Sequence, residues 1–453
     1  MRVVVVGAGM AAVRLAEGLA ARADVTLLGD EAHPPYNRIL LSAVLEGTHA
    51  VDSIAMRVPD AVDLRLEARI AQIHRGEREV ELVDGSRVPY DALVLATGSI
   101  PTLPPIRGLV RLDGRLHERV HAFRSLDDCL RLDAAVPDAR RAVVVGGGLL
   151  GLQVARALSV RGLRTEIVEG GDHLLRSQVD EKAGRILARD LRRLGTTVYT
   201  GARAVRLTDA GLGLDNGYTL GTDLVVLTAG GRPSTALARR AGLTVRRGIV
   251  VDDGLASVDD PTIHAIGDCA EHGGRTTGFV PPAWEQAGVL AGRLAGGDAR
   301  YDGSRKVARL RATGLDVAVL GDPEHTDGEV VEVTNPVLGS HRKLVVRDGA
   351  IVGATLVGDL SRIGLLTQHY DRGTVLAPTE PGALLMGDRP TRSSALPDDA
   401  EVCACAGVTA GRVRACTSLE DVRSSTRATT GCGGCADSVR SLLASRTLEG
   451  ITK

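Results

Sequence analysis

Two kinds of residue pattern in this chain could do chemistry: a cluster of cysteines and a pair of glycine-rich turns. Of the seven cysteines, Cys129, Cys269, Cys403, Cys405, Cys416, Cys432 and Cys435, five fall within the last 51 residues. Cys403-x-Cys405 is followed after 26 residues by Cys432-x-x-Cys435, set in Gly431-Cys-Gly-Gly-Cys. Four thiolates in two close pairs suit a [2Fe–2S] cluster, and the glycines let backbone N–H groups approach its sulfurs. The same donors also suit a tetrahedral structural Zn²⁺. An odd cysteine count argues against a disulfide framework. Cys129 and Cys269 stand alone and read as small buried residues, and so does the leftover Cys416.

The glycine pattern occurs twice. Val3 to Val6 is an apolar run entering Gly7-x-Gly9-x-x-Ala12, and Ala142 to Val145 enters Gly146-x-Gly148-x-x-Gly151. In such a strand-to-helix turn the first glycine bends tightly and the second admits a pyrophosphate to the free N–H groups of the helix. The third position must be small so that helix and strand can touch, which Ala12 and Gly151 both satisfy. In each copy an acid, Asp30 or Glu169, lies 23 positions after the first glycine, where it would bond ribose hydroxyls. Glu31 competes with Asp30 for that role. No Arg or Lys lies between Glu169 and His173, which favours NADH over NADPH at the second site.

The elements that must position these residues follow from periodicity. After each turn the spacing predicts a helix, through Val13, Leu15, Ala16 and Leu19 in the first copy and over Leu152 to Leu158 in the second. A strand then carries the acid, at Val25 to Leu28 and near Ile167. Each copy closes on a late strand, Asp91 to Gly98 and Asp223 to Gly230. Lys343 to Val346 and Ala350 to Leu356 flank Asp348-Gly349, which predicts a tight hairpin in a small sheet domain. Residues 386 to 399, with Pro390, Ser393, Ser394 and Pro397, read as a linker to the cysteine tail.

Composition agrees with this organisation. At 453 residues the chain is long enough for several domains, and 55 glycines with 44% hydrophobic and only 2% aromatic residues suit α/β architecture. Near-equal numbers of basic and acidic side chains, 55 and 56, give no overall field for nucleic acid or anionic lipid. No apolar stretch reaches the ~20 residues of a membrane helix, and no signal peptide is read, so the expectation is a cytoplasmic protein. H-E-x-x-H, Walker A and G-x-S-x-G motifs are absent, and neither nucleotide-binding copy holds a C-x-x-C or C-x₄-C pair. A dithiol relay is thereby disfavoured. NADH delivers two electrons together whereas an iron–sulfur cluster takes one, and a flavin converts between these modes.

Further residues carry a family resemblance. Tyr36-Asn-Arg-Ile-Leu-Leu-Ser42, Ala96-Thr-Gly-Ser99, Phe123-Arg-Ser-Leu-Asp-Asp-Cys129, Gly146-Gly-Gly-Leu-Leu-Gly-Leu152 and Ile263-His-Ala-Ile-Gly-Asp-Cys269 together resemble the front half of bacterial NADH-dependent nitrite reductase large subunits. The same arrangement resembles the electron-transfer subunits of bacterial assimilatory nitrate reductases, and the tail looks like a bacterioferritin-associated-ferredoxin type of [2Fe–2S] domain. The resemblance implies FAD at the first fingerprint, with Gly7, Gly9 and Ala12 at the pyrophosphate and Asp30 at the ribose. It places Asn37, Arg38 and Ser42 beside the flavin, Ile70 at the adenine, and Thr97 with Gly98 along the cleft. Arg124 is a further flavin candidate, Asp268 faces the ribityl chain, and Glu285 and Gln286 follow the proline turn that faces the isoalloxazine. NADH would sit at Gly146, Gly148, Gly151 and Glu169, and the cluster on Cys403, Cys405, Cys432 and Cys435. Two departures stand out: Ala43 where related ferredoxin reductases place a Lys near the flavin, and Gln153 where a Glu is usual. His272 and Trp284 read as packing residues.

The expected fold is α/β: two Rossmann-like dinucleotide-binding domains of the glutathione reductase type, a small α+β domain and the [2Fe–2S] tail. The expected units are residues 1–115 with 235–300 for FAD, 116–234 for NAD, 301–386 for the α+β domain, 387–399 as linker and 400–453 for the cluster. The expected function is an oxidoreductase passing electrons from NADH to FAD to [2Fe–2S] to a separate catalytic subunit, a molybdenum nitrate reductase. Alternatives are the diaphorase part of a split nitrite reductase, a ferredoxin or rubredoxin reductase, and a redox- or metal-sensing binding protein. No nucleic acid partner is expected. The small domain would serve either for self-association or not, by analogy of fold alone.

Overall fold

The structure, a computed structural model, describes residues 1–386, 396–403, 406–430 and 435–449. Strand Arg2–Val6 is buried from its second residue onward, which explains its unbroken valine run. It lies parallel to Asp24–Leu28 on one side and Ala92–Leu95 on the other. In the second copy Arg141–Val145 holds the same place between Arg164–Glu169 and Leu224–Leu227. The helices that follow, Met10–Leu19 and Leu149–Val160, start at the second glycine of each fingerprint. The predicted repeat is therefore a repeat of structure, with each late strand beside the first one.

The two sheets differ in size. The second is a five-stranded parallel sheet, whereas the first has nine strands because chain from beyond the second copy returns to it. Strand Asp260–Ala265 pairs parallel to Ala92–Leu95 and delivers Asp268 to the end of the first sheet. The crossings between the two units pair as short antiparallel strands, Ser99–Pro101 with Gly231–Pro233. Helix Met10–Leu19 packs on helix Val280–Leu294 closely enough that a Cβ on Gly18 would meet the Cβ of Ala291 at 2.7 Å.

The small domain is a five-stranded antiparallel sheet. Its hairpin turns on Asp348 and Gly349, both with positive φ (52° and 77°), the type I′ geometry that Asp-Gly favours. Leu315, Val317 and Val319 pack into the core of the second parallel-sheet unit, and helix Ile363–Arg372 covers the other face. Asp180 caps helix Glu181–Arg193 by accepting the Ala183 N–H, and it faces His341 Nε2 at 3.3 Å and Lys343 Nζ at 3.8 Å. Burial opposes its ionisation, but the bonds to His341 and Ala183 prevail and hold the carboxyl well below the usual range. Glu332 joins this group and is paired with Lys182. With two ammonium groups present, the cluster is an ion-paired clamp between domains rather than a cation site.

The tail is a two-stranded ribbon, Glu401–Cys403 with Val408–Thr409, and helices Ala410–Arg414, Leu419–Thr426 and Ala436–Glu449. Most of the expected linker, 387–395, lies outside the described residues.

His264, in the strand that leads to Asp268, is 8% exposed, and burial pushes its pKa down to about 4. The unfolded chain takes up the proton first, near pH 6.5, so the stabilisation is complete above that pH and lost as pH falls toward 4, by at most about 3 kcal/mol. Denaturant midpoints should therefore decline across this window in the native chain and decline less in His264→Gln. Equal pH slopes for the two proteins would contradict the assignment.

Candidate functional site

The site begins with backbone contact. Gly7 has φ 110°, and a Cβ there would lie 2.3 Å from the Ala96 carbonyl oxygen; Gly146 has φ 117° and meets Thr228 O at 2.6 Å. Only glycine fits either position. Gly9 and Gly148 precede their helices with no side-chain cap, and a Cβ on either would meet nothing within 4 Å. The first amides of both helices thus open onto space able to take an anion. The third position separates the copies. A Cβ on Gly151 would sit 1.9 Å from Gly146 O, whereas the Ala12 methyl is accommodated and fully buried.

The acids behave differently. Glu31 accepts from Tyr36 Oη at 2.7 Å and pairs with Arg38, so its carboxylate is engaged. Asp30 stays exposed at the strand end, 3.9 Å from Arg69. Glu169 accepts from Gly147 N and Gly171 N, both at 2.7 Å, which fixes it across the mouth of the second turn. Arg176 Nε approaches it to 4.0 Å. Sequence reasoning missed this cation because the loop after Glu169 folds back from beyond His173.

Around the residues expected beside a flavin, the fold gathers side chains distant in sequence. Asp268 Oδ2 accepts from Ser99 Oγ at 2.7 Å and from Arg124 Nη2 at 2.6 Å. Thr97 Oγ1 donates to Ser234 O at 2.7 Å, and Gly98, with φ 63°, has open space where a Cβ would be. Gln286 is buried and its Oε1 accepts from Gly267 N at 2.7 Å, holding the Asp268 loop. The preceding residue, Glu285, is on the exposed side of that helix. Ile70 opens the strand Ile70–His74 and pairs with Leu82. Asn37 and Ser42 are buried, and Arg38 lies over the Tyr36 ring. Tyr36 accepts the Leu126 N–H at 2.8 Å, and burial raises its own pKa.

Ser42 and Ala43 line one cavity of about 290 Å³ together with Gln153, Glu46 and Thr313. Ala43 and Gln153, the two positions that depart from the expected pattern, therefore line one cavity, which Ala312 and Thr313 also border. His272 bonds Asp253 at 2.9 Å and packs edge-on to Tyr301, and Trp284 is buried with its Nε1–H on Met10 O at 3.1 Å.

The thiols divide by environment. Cys129 is wholly buried, its Sγ on Leu41 O, and burial pushes its pKa up to about 12. Cys269 is likewise raised by burial, its Sγ on Leu95 O at 3.2 Å. Neither can serve as a ready nucleophile. Cys403 and Cys435 instead share one apolar cluster in the tail, and Cys435 Sγ accepts the Thr429 N–H at 3.1 Å. An amide aimed at a shielded sulfur suits a thiolate ligand of an iron–sulfur centre. Cys405 and Cys432 lie outside the described residues. Cys416 is buried, its Sγ on Arg412 O one helical turn away.

With this geometry in hand, residues 1–287 match the pyridine nucleotide-disulphide oxidoreductase family. The chain belongs to that family. Residues 307–374 match the rubredoxin NAD⁺ reductase C-terminal domain, and residues 401–445 match the BFD-like [2Fe–2S] binding domain. The chain is 33% identical to a Bacillus subtilis protein named nitrite reductase [NAD(P)H], over 98% of this chain and 57% of that one. It is 31% identical to the assimilatory nitrate reductase electron transfer subunit of the same organism, over 100% of this chain and 60% of that one. It thus spans less than two thirds of the length of either relative. Among solved structures, a ferredoxin reductase from Rhodopseudomonas palustris superposes with TM-score 0.74 at 28% identity, covering 83% of this chain and 96% of that one. The covalent putidaredoxin reductase–putidaredoxin complex gives 0.76 at 26%, covering 85% and 95%. This family member is an NAD(P)H-dependent flavoprotein oxidoreductase using FAD, with a [2Fe–2S] centre in its tail.

The contrast at the third fingerprint position is testable. Gly151→Ala should slow flavin reduction by NADH by about tenfold or more, because helix and turn must separate, with FAD content retained. Ala12→Gly should keep FAD and lose about 1 kcal/mol of stability, the helix cost of glycine. Stopped-flow reduction and thermal melting read the two effects; native NADH kinetics in Gly151→Ala would contradict the close-contact argument.

Proposed function

We propose that this chain carries electrons from NADH through FAD and the tail centre to a separate catalytic subunit, that of a molybdenum-containing assimilatory nitrate reductase. Bound FAD would supply a two-electron hydride acceptor for NADH, and a [2Fe–2S] centre on the tail thiolates would supply one-electron transfer. The chain's own residues bind and orient: the helix amides after Gly7 and Gly9 and the Asp30 carboxylate hold FAD, with Ala12 keeping that helix close. The turn at Gly146, Gly148 and Gly151 with Glu169 holds NADH. Asp268, steadied by Arg124, Ser99 and Gln286, faces the flavin side. Ser42, Ala43 and Gln153 surround the cavity where the two rings would meet, and exclusion of water there matters more than an acid or base. The proposed metal ligands are Cys403, Cys405, Cys432 and Cys435, and the proposed setting is the cytoplasm. Among the described residues, no helix is long and apolar enough to cross a membrane.

One observation carries this reading. The thiols inside the nucleotide units face carbonyl oxygens and have their pKa pushed up by burial, while Cys403 and Cys435 sit in a cluster that includes Met10 at the start of the first fingerprint helix. Electrons then leave through the tail and not through a dithiol. The nitrate reductase assignment is supported by the name of the relative matched over the whole of this chain. A second reading, the diaphorase part of a split nitrite reductase, is favoured by the nitrite reductases matched at similar identity.

Cys403→Ser and Cys435→Ser should retain FAD and its bleaching by NADH, yet lose transfer to the catalytic partner by about a hundredfold. Copurification from the native host should bring down a molybdenum protein. Variants that drive the partner at full speed, or a colourless zinc-loaded tail, would defeat the proposal.

A further inference from the structure

The cysteine tail is seated on the FAD unit. Met10 occupies a variable position of the fingerprint Gly7-x-Gly9-x-x-Ala12 and opens the helix whose amides face the pyrophosphate site. It is 7% exposed because it packs, together with Trp284, into one apolar cluster with Val408, Val413 and Val439 of the tail. Cys403 and Cys435 belong to the same cluster. The Trp284 indole is fixed by its bond to Met10 O, and Arg14 lies over its ring at 5.8 Å.

Two polar contacts frame this apolar patch. Arg427 of the tail pairs with Glu17, which lies on the helix that Met10 opens, and both side chains are partly withdrawn from water. Asn37 Nδ2 donates to Thr430 O at 2.5 Å. The segment between is held in an unusual backbone: Arg427 and Thr429 have φ of 65° and 71°, a region disfavoured for residues with a Cβ. That conformation is what turns the Thr429 N–H onto Cys435 Sγ. Contacts to the FAD unit on either side of Thr429 therefore shape the loop that serves the cysteine.

We propose that this contact is the working seat of the tail, in which Glu17–Arg427 and Asn37–Thr430 are positioning contacts, Trp284 is the packed spacer, and each tail receives electrons from the FAD unit of its own chain. The proposal rests on the electron path put forward above. In its balance one NADH yields NAD⁺, one proton released to water and two electrons, which leave singly to two equivalents of a one-electron acceptor, ferricytochrome c in the assay.

The test exchanges charges on the full holoprotein: Glu17→Arg, Arg427→Glu and the double exchange. Trp284 is the only tryptophan in the chain and reports on the seat directly. In each single variant, with or without FAD, acrylamide quenching of Trp284 should rise about threefold, and the double exchange should return it near the native value. After anaerobic mixing with NADH, flavin bleaching should keep its native rate in the single variants. Reduction of the tail centre should slow about tenfold in them and recover in the double exchange, independently of protein concentration. Native quenching and native centre reduction in both single variants would overturn the proposal. So would a double exchange that recovers neither quantity while the centre's absorbance is intact, or a native rate that rises with protein concentration, the sign of transfer between chains. A native protein whose centre NADH does not reduce would instead sink the electron path, and Trp284 quenching would still decide the seat.

Discussion

The architecture of the site depends on two places where backbone touches backbone. At Gly7 and at Gly146 the turn lies against the carbonyl of the neighbouring late strand, at Ala96 and Thr228, with no room for a side chain. This contact sets the start of each helix beside the end of that strand, and so brings the helix amides and the residues after the strand to one cleft. In the first unit those residues are Thr97, Gly98 and Ser99, which lead into the hydrogen-bonded group of Arg124 and Asp268. A methyl at Gly7 would push the strand away and separate the first helix amides from the group at Thr97, Ser99 and Asp268.

What could be read from the sequence was the part governed by local periodicity. The two fingerprints, their acids and their late strands recur in order, and the Asp348-Gly349 turn needs only its own dihedral preferences. The hidden part depends on contacts between distant segments. Asn37 and Thr430 are 393 positions apart, and nothing in either neighbourhood announces their bond. Arg176 reaches Glu169 only because the intervening loop doubles back. Whether Asp30 or Glu31 is left open to a ribose is decided by Tyr36 and Arg38, which engage Glu31. Met10 stands at a fingerprint position where any residue type is tolerated, so its place under the tail left no trace in the motif.

The cysteines show how one side chain takes opposite roles through its surroundings. Cys129 and Cys269 face carbonyl oxygens, which require a protonated thiol, and burial reinforces that state. Cys435 faces an amide donor, which favours a sulfur bearing negative charge. Spacing in the sequence pointed to the same division, but the hydrogen-bond polarity supplies its physical reason. A member of a family named for disulphide chemistry thus keeps the flavin unit and places its second redox function in an added domain.

The cavity between the nucleotide units extends this argument to charge. The resemblance leads one to expect a Lys where Ala43 stands and a Glu where Gln153 stands, and here both positions line the same space. A single charge at one of two such neighbouring positions, without its opposite beside it, is costly in a partly desolvated cleft. Both positions are neutral here, and Glu46, which accepts from Thr313, is the carboxylate of the lining. Hydride transfer moves no proton through an acid or base; it needs two flat rings in contact and water kept out. A methyl at Ala43 and an amide at Gln153 add no fixed charge to this cavity, which suits the role proposed for it as the place where the two rings meet.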